Sequence, residues 1–256
     1  MESPFPPMPR SALLLAAHGS ATGAGDATRD LARRLRDAGL FGEVACGFWK
    51  EKPGLREALD ALRAPEVFVV PNFMAEGYFV RGVLPRELGL AGAVTARENG
   101  QVPRLCRAAG TSPRMAELIL NSARAAAPDL DFSRAALLVL GHGTPRDARS
   151  TETAEAQVRA LRALGVFAEV HAAFMESPPL IAGWRDLTPC REVVAVPFFA
   201  AGGPHANDDI PRLLGEAAEG RRLFYSRPVG EDPGMFDVVL DLVRACAALG
   251  EDATRP

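Results

Sequence analysis

At 256 residues, 48% of them apolar and with a net charge of −3, the chain can bury a sizeable core in one large domain or two small ones. Its longest apolar stretches, residues 12–17 and 193–201, fall well short of the roughly 20 residues that cross a bilayer, so a cytoplasmic protein without a membrane span is expected. The arginines are scattered among Asp and Glu instead of forming a basic stripe, which argues against nucleic acid as a partner.

Residues 1–10 hold four prolines and lack both a basic leader and an apolar region of signal-peptide length, so they read as a loose arm. An apolar strand over 13–17 then ends at His18-Gly19-Ser20. Leu31 and Leu35 mark the buried face of the helix that follows, and Gly39 stops it. The segment from Glu51 to Leu55 precedes a further strand at Val67 to Phe73. Residues 125–133, which include Pro128, form the linker.

Beyond the linker the same order returns. Ala136-Leu-Leu-Val-Leu-Gly-His-Gly-Thr144 repeats the segment from Ala12 to Ser20 at an offset of 124. Glu176-Ser-Pro-Pro-Leu180 answers to Glu51-Lys-Pro-Gly-Leu55, and Val193 to Phe199 answers to Val67 to Phe73. The closing helix also recurs, with Gly110 to Met115 matching Gly230 to Met235. Four matches in one order indicate a duplication. Continuous apolar strands alternating with helices predict parallel sheets covered on both faces. The fold expected is α/β: two tandem doubly wound parallel-sheet domains at 11–124 and 134–250, with a cleft between them.

In open parallel sheets ligands bind beyond the carboxyl ends of the strands. In the second copy His142 follows strand one, Glu176 follows strand two and His205 lies in the glycine-rich loop after strand three, so all three fall on one edge. Two imidazoles and a carboxylate suit a borderline divalent ion with open positions, and each can also take a proton near neutral pH. His171 falls inside a strand and reads as structural. Cys46, Cys106, Cys190 and Cys246 form no C-x-x-C, so buried reduced thiols are expected, with no zinc knuckle or iron–sulfur cluster.

The His-Gly-Ser/Thr turns, the Phe-x-Glu-x-Pro loop and Pro197-Phe-Phe-Ala-Ala-Gly-Gly-Pro-His-Ala-Asn-Asp-Asp-Ile-Pro211 resemble the class II tetrapyrrole chelatases. The resemblance is to the duplicated form of the sirohydrochlorin cobaltochelatase (CbiX-like) family, and it runs from about Ala12 to Leu249. It implies insertion of Co²⁺, or Fe²⁺ or Ni²⁺, into sirohydrochlorin or a related reduced tetrapyrrole. His142 and His205 would then bind the metal and accept pyrrole protons, assisted by Glu176. A non-catalytic carrier or regulator of metal or tetrapyrrole that kept the fold is the alternative. A monomer or a homodimer is compatible with a chain that supplies both halves itself.

The first copy departs from the pattern. His18 and Glu51 are kept, but Phe79 stands in the place of His205, beside Tyr78. Lys50 and Lys52 flank Glu51 where Met175 and Ser177 flank Glu176, and Arg81 replaces Asn207. One of Phe79 and Tyr78, on a loop expected to be exposed, would stack on a macrocycle. Lys50, Lys52 and Arg81 would hold its carboxylates.

Overall fold

A computed structural model describes residues 5–19, 26–145, 147–216 and 220–252. Two four-stranded parallel sheets are present, as expected. In the first, β1 (Met8–Ala17), β2 (Phe41–Phe48), β3 (Glu66–Pro71) and β4 (Val102–Leu105) lie in the order β2-β1-β3-β4. The intervening helices are α1 (Asp26–Asp37), α2 (Leu55–Ala61) and α3 (Leu84–Leu88), and α4 (Met115–Ala126) follows. The second sheet repeats this with β5 (Ala136–Gly141), β6 (Glu169–Phe174), β7 (Glu192–Pro197) and β8 (Arg222–Tyr225), in the order β6-β5-β7-β8. Its helices are α5 (Arg149–Leu164), α6 (Trp184–Leu187) and α7 (Ile210–Leu214), and α8 (Met235–Asp252) follows β8. No helix among the described residues is long and apolar enough to cross a membrane.

The apolar strands β1, β3, β5 and β7 are the central ones and are buried almost throughout, because helices cover both faces. In the first unit α2 and α3 close one face over Leu55, Leu59, Leu84 and Leu88. In the second, α6 and α7 do the same with Ile181, Trp184, Ile210 and Leu214. The Trp184 ring is fully buried, and its indole N–H donates to the Leu214 carbonyl at 2.9 Å.

Two features differ from the sequence reading. The strand β1 begins at Met8, which pairs with Phe41, so the proline-rich start is not wholly a loose arm; residues 1–4 lie outside the described ones, as does Ser20. The compact units also do not coincide with 11–124 and 134–250. One comprises residues 1–112 and 234–256, the other 113–233. Helix α8 packs on α1 and β3, while α4 packs on α5 and β7. Each unit is therefore closed by the helix that ends the other repeat. A repeat pattern reveals that an apolar helix must cover a sheet, but two related helices with similar apolar faces leave open which sheet each covers.

In each sheet the strand order reverses between β1 and β3, or between β5 and β7. That reversal opens a crevice at their carboxyl ends, and the candidate residues of the second copy stand there.

Candidate metal site and its counterpart in the first copy

Gly141 ends β5 in register with Phe174 of β6, and Leu140 is in register with Pro197 of β7. The loops that carry His142, Glu176 and His205 therefore leave the sheet at one level. Their spacing depends on Gly143, whose φ of +65° lies in the left-handed region. A Cβ there would come within 2.8 Å of the Phe174 Cβ and 3.1 Å of Ser177, so only glycine lets the β6–α6 loop lie this close. The loop is tied down by the His142 carbonyl, which accepts from the backbone N–H groups of Met175 at 3.0 Å and Glu176 at 3.1 Å.

The side chains converge from this frame. His142 Nε2 lies 3.8 Å from Glu176 Oε1, and the rings of His142 and His205 are 5.2 Å apart, edge to face. Each imidazole has its other nitrogen engaged. His142 Nδ1 is 2.7 Å from the Gly143 carbonyl, and His205 Nδ1 is 2.8 Å from Asp209 Oδ2. Both partners can only accept, so Nδ1 carries the proton in each ring and Nε2 presents its lone pair. A carboxylate behind a histidine is the usual device for fixing the tautomer of a ligand imidazole. Among the described residues no group of three or more His, Cys, Asp or Glu side chains is arranged to hold a metal ion. His142 neighbours both Glu176 and His205, and all three side chains are largely exposed.

The turn bearing His205 has supports that sequence did not reveal. His205 opens a π-helical turn, His205–Asp209, a geometry common at functional sites. The Tyr225 hydroxyl donates to the Ala206 carbonyl at 2.5 Å, and burial pushes that phenol up, so it stays a donor. Glu231 accepts from the Gly202 N–H at 2.7 Å and holds the loop before the turn. The spacing of four between His205 and Asp209 was a usable signal. The Tyr225 and Glu231 contacts are long-range and had none.

The first copy has the same frame with other side chains. His18 Nδ1 is 2.7 Å from the Gly19 carbonyl, and Gly19 has a φ of +68°. Phe79 opens a π-helical turn, Phe79–Val83, which supports its equivalence with His205. The β2–α2 loop, however, shifts the sequence alignment by one residue. The His18 carbonyl accepts from Lys50 N–H where the His142 carbonyl accepts from Glu176 N–H, and Phe48 N–H meets Pro53 where Phe174 N–H meets Pro179. A Cβ on Gly19 would strike Glu51, where one on Gly143 would strike Ser177. Lys50 is thus the counterpart of Glu176, Glu51 that of Ser177 and Lys52 that of Pro178. Equal residue types at an offset of 125 concealed an offset of 126.

Glu51 consequently points inward. Its carboxylate takes Arg29 Nη2 at 2.6 Å with the side chain 10% exposed, and the Arg29 guanidinium lies over the Phe48 ring. Glu51 fills a slot that in the second copy belongs to Ser177, whose buried hydroxyl has no partner among the described residues. Phe79 is also not the exposed loop residue expected. It is partly buried, stacked on Phe73 at 4.7 Å and in contact with Trp49 and His18. The exposed aromatics are Tyr78 and Trp49, at 68% and 38%. Lys50 Nζ sits 3.8 Å from the Trp49 ring, and Lys52 Nζ pairs with Glu57 at 2.9 Å. Arg81 is exposed on the π-helical turn. His171 pairs with Glu169 at 3.0 Å, in keeping with its structural reading, and all four cysteines are free thiols.

Comparison with known proteins agrees with this duplicated architecture. The chain is 33% identical to a protein of Halobacterium salinarum named "Probable sirohydrochlorin cobaltochelatase", over 94% of each chain. Among solved structures, DR2241 from Deinococcus radiodurans is 34% identical with a TM-score of 0.79; the match covers 91% of this chain but 54% of that one. A structure titled as CbiX, the terminal enzyme for biosynthesis of siroheme in denitrifying bacteria, is 28% identical with a TM-score of 0.71, covering 91% of this chain and 98% of the other. The CbiX family model matches twice, over residues 12–126 and 136–246. With both repeats matched, this chain belongs to the CbiX family, in a duplicated form.

Proposed function

We propose that the protein inserts a divalent metal, Co²⁺ in the first instance and Fe²⁺ or Ni²⁺ as alternatives, into sirohydrochlorin or a related reduced tetrapyrrole, and that His142, Glu176 and His205 carry the reaction. The observation that supports this most is the pair of neighbouring imidazoles with both Nδ1 atoms engaged and with His142 Nε2 facing Glu176. The relative from Halobacterium salinarum is named for cobalt and sirohydrochlorin. The metal is a substrate here, so an open and weakly committed donor set serves better than a closed cage.

The chemistry follows from what the residues can hold. As the ion passes to four ring nitrogens, the macrocycle loses two N–H protons and the protein loses its hold on the metal. A neutral imidazole can do both tasks in turn, giving its Nε2 lone pair to the ion and, once the ion has left, to a proton. Glu176 adds negative charge that favours the divalent ion and offers a second proton acceptor beside His142. Asp209, behind His205, steadies the imidazolium that forms.

The first copy supports substrate binding instead. Lys50, Arg81 and Lys52 offer positive charge, and Tyr78 with Trp49 offers exposed aromatic surface; Phe79 backs this surface from within. Lys52 already pairs with Glu57 in solvent, an arrangement that contributes little to stability and leaves it free to exchange partners. Replacing Lys50, Lys52 and Arg81 with neutral residues is expected to raise the KM for the tetrapyrrole and flatten its salt dependence while leaving metal affinity unchanged. Unaltered tetrapyrrole affinity at low salt would remove these residues from binding.

An anaerobic spectrophotometric assay of sirohydrochlorin with each of Co²⁺, Ni²⁺ and Fe²⁺ tests the proposal and separates an enzyme from a carrier, which would bind without accelerating insertion. In the same assay Glu176→Gln is expected to lower the rate by on the order of 10-fold, since an amide fills the space but holds neither charge nor proton. Unchanged kinetics would take Glu176 out of the mechanism.

A further inference from the structure

Two ties run from β8 and the loop after it to the segment that carries His205, and the first copy shows which of them is peculiar to the second. Glu231 accepts from the Gly202 N–H at 2.7 Å. In the first copy Glu76, which stands at the position of Gly202, reaches the opposite way and accepts from the Ala108 N–H at 3.2 Å. A carboxylate thus joins the same two loops in both units, supplied from either side, so this tie belongs to the fold. The bond from Tyr225 is different. Strand register sets Tyr225 against Ala195 of β7 and Leu105 against Val69 of β3, so a leucine, with no hydroxyl to give, stands where Tyr225 stands. The phenol that donates to the Ala206 carbonyl at 2.5 Å therefore serves the π-helical turn that opens with His205 and not the one that opens with Phe79.

We propose that Tyr225 is a positioning residue for the insertion reaction, placing the His205 imidazole beside that of His142 through the Ala206 peptide. This rests on the assignment of metal to His142, Glu176 and His205. Ala206 follows His205 directly and is 2% exposed, so the hydroxyl supplies the donor that a buried carbonyl needs. The Tyr225 ring packs on the core cluster of the second unit, and its strand is paired with β7, so the hydroxyl has a fixed origin. Burial raises the phenol, which stays protonated and remains a donor. Asp209 holds His205 Nδ1 from within the same turn. Asp209 therefore fixes the ring against its own turn, while Tyr225 fixes that turn against the sheet that also carries His142. Both restraints act on the 5.2 Å separation of the two rings, and a displacement of about 1 Å is enough to slow a reaction that depends on placement.

Tyr225→Phe in the full chain tests this, because it keeps the ring and removes only the hydroxyl. Co²⁺ affinity by isothermal titration and kcat for insertion into sirohydrochlorin are each expected to fall by about 10-fold, the lower end of the range for groups that orient a metal ligand, with the KM for sirohydrochlorin unchanged. In an H205A background the same change should cost nothing further, since it acts through that ring. The chain has four histidines, so their imidazole NMR signals can be followed without metal, and Y225F should move those of His205 while leaving those of His18 and His171 in place. Tyr225→Leu, which installs the first copy's residue, removes the ring as well and should lower the Tm more than Y225F does, which separates packing from placement. A Y225F protein with unaltered metal affinity and kcat would overturn the proposal. So would one that loses as much in the H205A background as in the unaltered chain, or one that fails to fold, which would make the bond purely structural. If H205A itself binds Co²⁺ and turns over normally, the metal assignment fails instead. The His205 signals then decide whether Tyr225 places that ring: moved signals uphold the placement and unmoved ones overturn it.

Discussion

His142→Ala and His205→Ala are each expected to lower metal insertion by about 10²–10⁴-fold, the range over which a positioned proton acceptor acts, with loss of metal affinity in the same variants. Each removes one of the two neighbouring imidazoles whose Nδ1 is held by a fixed acceptor. Neither should unfold the protein. The side chains are 44% and 54% exposed, and substitutions at exposed positions usually stay within about 0.5 kcal/mol. Thermal unfolding measured beside the insertion rate checks both halves of the expectation. Near-normal turnover in either variant would mean that the reaction is carried elsewhere.

The second large effect is expected from a residue with no side chain. Gly143→Ala places a methyl group 2.8 Å from the Phe174 Cβ, in a backbone with φ of +65°. The left-handed conformation costs an L-residue about 1–2 kcal/mol, and displacing packed neighbours adds about 1–3 kcal/mol. Gly165→Ala separates the two contributions, because Gly165 has nearly the same φ, +64°, and no atom within 4 Å of the added methyl. Denaturant unfolding should show the greater loss for Gly143→Ala. That variant alone should also lose metal affinity, since its strain falls on the carbonyl that orients His142 and on the loop that carries Glu176. Equal destabilisation of the two variants, with metal affinity intact in both, would show that the close approach at Gly143 is unimportant.

The sheets, their parallel sense and the edge on which His142, Glu176 and His205 stand were legible in sequence because strand hydrophobicity and strand-end position are local properties. The limits were also physical. Glu51 and Glu176 share a type and neighbouring prolines, so a match by identity placed them together. Hydrogen-bond register instead sets Lys50 opposite Glu176, and only the folded loop shows which way Glu51 turns. Arg29 lies 22 residues before Glu51, on a helix whose exposed face gives no periodic hint of a buried partner. The exchange of α4 and α8 was hidden for a related reason, since two copies of one helix are interchangeable in pattern.

We propose that the metal is held in the second copy, between His142, Glu176 and His205. An anomalous difference map from a Co²⁺-soaked crystal, collected at the cobalt edge, tests it most directly. One peak is expected within about 2.0–2.2 Å of His142 Nε2 and His205 Nε2, the range usual for imidazole and carboxylate donors on such an ion, with Glu176 turned towards it. A peak beside His18 and Lys50 with none at His142 would contradict it.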